Sequence, residues 1–153
     1  MKILYTAFNG KNSSKILLDA IDSNHKLYLK NSFNTSVIQL QNELSKNNYD
    51  LVVSFGRAPL RVDNVKIEIS ATNENKYKTN YDYNNLKEFL KNKGYKVIIS
   101  NSAGKYLCNN LYYHGLKYID DNKLKTQMIF IHLPKLSRIT NISNLIEIFS
   151  KYI

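Results

Sequence analysis

Tyr95-Lys96-Val97-Ile98-Ile99-Ser100-Asn101-Ser102-Ala103-Gly104-Lys105-Tyr106-Leu107-Cys108-Asn109 is the stretch on which the fold turns. Tyr95–Ser100 is a short apolar run with the length of a buried strand. Asn101–Gly104 is a turn of small residues, and a helix is expected from about Lys105 to Tyr118. A strand that passes through a tight turn into a helix is the building unit of an α/β sheet.

The same alternation extends in both directions. Toward the N-terminus, Asp82 caps a helix through Leu86, Phe89 and Leu90 that Gly94 closes. Val65–Ala71 alternates Val65, Ile67, Ile69 and Ala71 against Lys66, Glu68 and Ser70, the period of a half-exposed strand. Asp50–Phe55 is a buried-strand run ending at Gly56, and Ser36–Lys46 is an amphipathic helix with Thr35 as its cap. Strands over Lys2–Thr6 and Lys26–Asn31 flank a helix over Ser13–Ile21. Toward the C-terminus, Gln127–Leu133 is the last strand and Ile142–Tyr152 the last helix. The expected fold is α/β, a three-layer domain with a largely parallel mixed sheet covered by helices. Chemistry in such sheets gathers at the carboxyl ends of strands, here the loops after Thr6, Phe55, Ser100 and Leu133.

The chain has 153 residues, enough for one domain over 1–153 with a core of its own. One cysteine permits no internal disulfide and suits a reducing compartment. The N-terminal apolar stretch is too short for a signal peptide, and no run is long enough to span a membrane. A cytoplasmic protein is the expectation. The net charge of +10 raises nucleic acid as a partner. Its lysines, however, are spread along the whole chain among asparagine, isoleucine and tyrosine, so no nucleic-acid binding is expected. With no paired cysteine or histidine spacing, neither a metal nor another cofactor is expected.

Cys108 falls in the first turn of its helix, where free N–H groups and the positive dipole end favour a thiolate and could receive an oxyanion. On residue type alone a lone cysteine is more often a small buried hydrophobe. His132 closes the run Met128-Ile129-Phe130-Ile131, and a parallel pairing of its strand with Tyr95–Ser100 would bring it near the turn before Cys108. His25 and His114 are less well placed. A thiol–imidazole pair needs a third group to orient the ring. Glu68 is the best-placed carboxylate, although its alternation against Ile67 and Ile69 favours a solvent-facing side chain. Asp63 is the reserve.

Ser102-Ala103-Gly104-Lys105-Tyr106-Leu107-Cys108-Asn109-Asn110-Leu111-Tyr112-Tyr113 resembles the cysteine box of the pyroglutamyl peptidase I (pyrrolidone-carboxylate peptidase) family. Phe130-Ile131-His132-Leu133-Pro134 resembles that family's histidine box. Glu68-Ile69-Ser70-Ala71-Thr72-Asn73 keeps the marked glutamate, alanine and asparagine of its glutamate box. The resemblance therefore implies Glu68 as the triad carboxylate, against the solvent-facing reading. Gly56-Arg57-Ala58-Pro59-Leu60-Arg61 stands for the family's glycine-rich stretch ending in arginine. Matching Arg61 gives Glu68, with one residue inserted; matching Arg57 gives Asp63. The alanine and asparagine that follow favour Glu68. Thr6-Ala7-Phe8 is similar to the family's threonine-glycine-phenylalanine, whose phenylalanine helps enclose the pyrrolidone ring, and Asn12-Ser13-Ser14 to its asparagine-proline-serine. A second enclosing phenylalanine is not evident, and the loop after the glutamate box shrinks to Glu74–Tyr81.

The resemblance implies a phosphorylase/hydrolase-like fold and a thiol exopeptidase that removes N-terminal pyroglutamate through a thioester. Cys108 would be its nucleophile, His132 its base and Glu68 the residue that orients the ring. Phe8, Arg61 or Arg57, and Asn12 would bind the substrate, a peptide blocked by pyroglutamate. It also implies a possible homo-oligomer. The rivals are an altered or inactive relative, acting on another small amide or as a binding module, and a basic nucleic-acid-binding domain.

Overall fold

The computed structural model describes residues 1–153. Its strands are β1 (Ile3–Phe8), β2 (Lys26–Leu29), β3 (Leu51–Arg57), β4 (Asn64–Glu68), β5 (Ser70–Thr72), β6 (Lys76–Lys78), β7 (Lys96–Ser100) and β8 (Gln127–Leu133). Its helices are α1 (Ser13–Ala20), α2 (Phe33–Lys46), α3 (Asn84–Asn92), α4 (Leu107–Asp121) and α5 (Ile142–Glu147), the last continuing as a π-helical turn over Ile148–Tyr152. Six strands form one sheet in the order β2-β1-β3-β8-β4-β7, while β5 and β6 pair as a separate antiparallel ribbon.

The central strands are buried on both faces because their side chains are apolar on both: Leu51-Val52-Val53-Ser54-Phe55-Gly56 in β3 and Met128–Leu133 in β8. Alternate residues feed two cores. One face carries Leu4, Val52, Met128 and Phe130 against Leu40, Leu44, Leu111, Tyr112 and Leu116 of α2 and α4. The other carries Tyr5, Val53, Phe55, Ile67, Ile129 and Ile131 against Leu17, Leu18, Leu86, Leu90 and Leu145 of α1, α3 and α5. The three-layer arrangement expected from the sequence is present.

Three local expectations change. The cap of α2 is Ser32, whose side chain accepts from the Thr35 N–H, so the helix starts earlier at Phe33. Asp82 accepts from the Asn84 N–H as a turn before α3 and is not its cap residue. The alternating run Val65–Ala71 is two strands in two sheets, broken at Ile69, whose N–H reaches the Ser100 carbonyl.

One pairing also differs. β7 is not beside β8, because β4 lies between them, parallel to β7 and antiparallel to β8. The antiparallel register sets Lys66 opposite His132 and Glu68 opposite Phe130. Residues two apart on one strand share a face, so Lys66, Glu68, Phe130 and His132 all project toward α4.

Candidate active site

β1, β3 and β8 run parallel and end together at Phe8, Arg57 and Leu133. On β3, Gly56 pairs with His132 of β8. The strand does not stop at that glycine, as its position after an apolar run suggests; it continues to Arg57. The missing side chain is filled by a neighbour. A Cβ on Gly56 would lie 2.6 Å from Cys108 Sγ and 2.9 Å from the Phe130 ring. The thiol is thus seated on the bare backbone of β3, one strand from His132, where strand spacing is about 4.8 Å.

Cys108 is the second residue of α4, in the first turn as expected. Tyr106, the N-cap residue, makes no side-chain capping bond, so the first N–H groups of the helix have neither an intrahelical nor a capping acceptor. Two hydrogen-bonding ties fix the helix. Tyr112 Oη donates to the Glu68 carbonyl at 2.8 Å. Asn109 holds Thr72 at both ends, its Oδ1 accepting from the N–H at 3.2 Å and its Nδ2 donating to the carbonyl at 2.9 Å. The cysteine helix is therefore bound to the strands around Glu68.

Glu68 is fully buried at 0% exposure, and His132 at 6%. His132 Nδ1 and Glu68 Oε1 lie 2.8 Å apart, which leaves Nε2 free for another partner. Glu68 Oε2 has no hydrogen-bond partner and is buried. The solvent-facing position that alternation suggests for Glu68 is not found, because α4 covers that face of the sheet. Asp63 is elsewhere, its carboxylate accepting from the N–H and hydroxyl of Thr140.

The thiol does not have the environment that its helix position suggested. Burial, and secondarily the charge of Glu68, push Cys108 up to about 12. Desolvation disfavours the thiolate, a push opposite in sign to the pull of the helix end. Its surroundings therefore favour the neutral thiol over a free thiolate.

Two cavities meet at Cys108. The first, of about 400 Å³, is lined by Phe8, Asn12, Ser14, Gly56, Tyr106 and Leu107 among others. The second, of about 420 Å³, is lined by Lys66, Glu68, Ser100, Ser102, Ala103 and His132 among others. Arg57 and Tyr106 border both. Of the residues singled out in the sequence, Phe8, Asn12, Arg57, Glu68, Cys108 and His132 thus gather at one place. Asn12 spends its Oδ1 on the Lys15 N–H as the cap of α1. Arg61 is exposed and borders neither cavity. His25 packs on Tyr49 and His114 on Tyr113, away from both. The sequence reading missed Gly56, Lys66 and Tyr106. Tyr106 had one signal in the sequence, an aromatic residue at an expected helix start, and the structure leaves it 80% exposed.

This is a three-layer α/β protein with a cysteine, a histidine and a carboxylate gathered on one face of its sheet. A sequence model of the pyroglutamyl peptidase family matches residues 62–145. Among curated proteins, the pyrrolidone-carboxylate peptidase of Thermosipho melanesiensis is 30% identical over 88% of this chain and 83% of its own length. That of Thermosipho africanus is 31% identical over 89% and 82%. Among solved structures, pyrrolidone carboxyl peptidase from Thermococcus litoralis superposes with a TM-score of 0.82 at 20% identity, covering 96% of this chain and 89% of that one. Pyroglutamyl peptidase I from Bacillus amyloliquefaciens gives 0.78 at 16%, covering 96% and 92%. The chain belongs to the pyroglutamyl peptidase family.

Proposed function

We propose that the protein is a cysteine exopeptidase that removes N-terminal pyroglutamate, with Cys108 as nucleophile, His132 as acid–base and Glu68 as the residue that orients the imidazole. The observation that carries the reading is the buried 2.8 Å Glu68–His132 contact beside a thiol seated on Gly56. With Nδ1 held by the carboxylate, Nε2 takes the thiol proton as sulfur attacks the pyroglutamyl carbonyl. Because burial disfavours a free thiolate, the proton is passed to His132 as part of the attack. The oxyanion is received by N–H groups at the start of α4. The C–N bond then breaks as the imidazolium returns its proton to the leaving amine, giving a thioester. Water, deprotonated by His132, adds to that carbonyl; the C–S bond breaks and Cys108 regains the proton.

The pyrrolidone ring is assigned to the Phe8 cavity, whose lining also includes Tyr106 and Leu107, in place of a second phenylalanine. Arg57, at the junction of both cavities, is the substrate-side arginine in this reading, and Arg61 is not. The test compares fluorophore release from pyroglutamyl- and prolyl-aminomethylcoumarin, which differ by the lactam carbonyl. Turnover of the pyroglutamyl compound alone is expected. Equal turnover of both, or turnover of neither by folded protein, would overturn the substrate assignment.

A further inference from the structure

His132 borders the Lys66 cavity but not the Phe8 cavity. A group that protonates a leaving amine must stand beside it, so the peptide departs through the Lys66 cavity while the ring occupies the other. This assignment of sides rests on the proposed reaction.

The exit side carries a consistent charge. Its cavity has Arg57 and Lys66 on its walls, and its one carboxylate, Glu68, is engaged by His132. Beyond it, sharing Arg57, Ala58 and Pro59, lies a further hollow of about 330 Å³ lined also by Leu60, Lys135 and Arg138. That hollow has three cationic side chains and no acidic one. Arg57, Lys66, Lys135 and Arg138 have no carboxylate within 4.0 Å, since the ion pairs of the molecule involve other residues. Arg138 is steadied by donating from Nη1 to the Leu60 carbonyl at 3.0 Å. Lys66 is half-buried on a strand, so its ammonium is positioned by the sheet and not by a loop.

We infer that this cationic track recognises a carboxylate on the leaving peptide, making the protein selective for pyroglutamyl peptides whose next residues are acidic. A concave wall of one sign attracts and orients the opposite charge, and because the track is open to solvent the attraction weakens as salt rises. Arg57 and Lys66 would meet the first residue after pyroglutamate; Lys135 and Arg138 would meet the following ones.

The test measures kcat/KM by amine release for amidated peptides in which glutamate, glutamine or lysine follows pyroglutamate. A pyroglutamyl-alanine pair with free or amidated C-terminus serves as the second arm. The glutamate peptide should exceed the glutamine peptide by about fivefold to tenfold, the scale of one partly screened ion pair. That ratio should shrink as salt rises from ~0.02 to ~0.5 M, and should fall toward one in Lys66→Gln. A preference confined to the free α-carboxylate of the alanine dipeptide would keep the carboxylate site and place its ligand at the C-terminus. Equal cleavage of all peptides, or preference for lysine, would overturn the inference while leaving the peptidase reading intact. Failure to cleave any pyroglutamyl peptide would instead remove the reading on which it rests. The salt dependence of the unmodified protein decides the matter even where the Lys66 variant folds poorly.

Discussion

At the scale of single residues, Gly56 decides where the thiol sits. A methyl at this position would meet Cys108 Sγ at 2.6 Å and the Phe130 ring at 2.9 Å, and both are pinned by the layers around them. Gly56→Ala should therefore displace the sulfur, lowering kcat/KM by about a hundredfold, as misplacement near 1 Å does. Overpacking should also cost about 1–3 kcal/mol in urea unfolding. Full activity in this variant would show that the thiol need not occupy that slot. The sequence announces Gly56 as the end of an apolar run and the start of a glycine-rich box, but not as the seat of the thiol, because a residue whose importance is an absent side chain leaves no local pattern. Glu68 was misleading in the opposite way. Period-2 alternation assigns one face to solvent, and cannot register that α4, thirty-nine residues on at Leu107, will cover it. The recovered box around Glu68, not the periodicity, pointed to its burial.

At the scale of elements, the site depends on α4 being tied to β4 and β5. Tyr112→Phe removes the donor to the buried Glu68 carbonyl and nothing else of the ring. It should destabilise the protein by about 1–3 kcal/mol, the cost of leaving a buried acceptor unpaired. Activity should fall more than the stability loss explains, since Glu68 loses its anchor; this is read from kcat/KM at a temperature where both proteins are folded. Unchanged activity and stability would mean that Asn109 alone holds the helix. Most elements were legible because strong apolar periodicity marks them, with Gln127–Leu133 matching β8 at both ends. The pairing was less so. Strand order is a property of long-range packing, and nothing in Tyr95–Ser100 reveals that β4 will separate it from β8. The ribbon strand Lys76–Lys78 was missed because its exposed, charged residues carry no apolar pattern.

At the scale of the whole molecule, several ionisable groups are buried in neutral form with their protons engaged. Tyr5 Oη donates to the Phe149 carbonyl, Tyr95 Oη to Asn141 and Tyr112 Oη to Glu68. Burial pushes Tyr95 and Cys108 up to about 12, and raises Tyr5 and Tyr112 as well. These groups ionise near ~8.5 (thiol) and ~10 (phenol) in the unfolded chain. Above those values the native state holds more protons than the unfolded one, so the stability these groups contribute is fully present below about pH 8.5 and is lost as pH rises toward 12. The urea midpoint should accordingly decline steadily between about pH 9 and 11.5; a flat profile there would contradict the burial described. No helix is long and apolar enough to cross a membrane.

The central claim is that Cys108, assisted by His132 and Glu68, performs the cleavage. Its most direct test is kcat/KM for pyroglutamyl-aminomethylcoumarin in the unmodified protein and in Cys108→Ala, with folding checked by circular dichroism. Loss of at least about 10⁴-fold is predicted, on the scale seen when a nucleophile of such a constellation is removed. Retention of more than a tenth of the activity by a folded Cys108→Ala protein would contradict it.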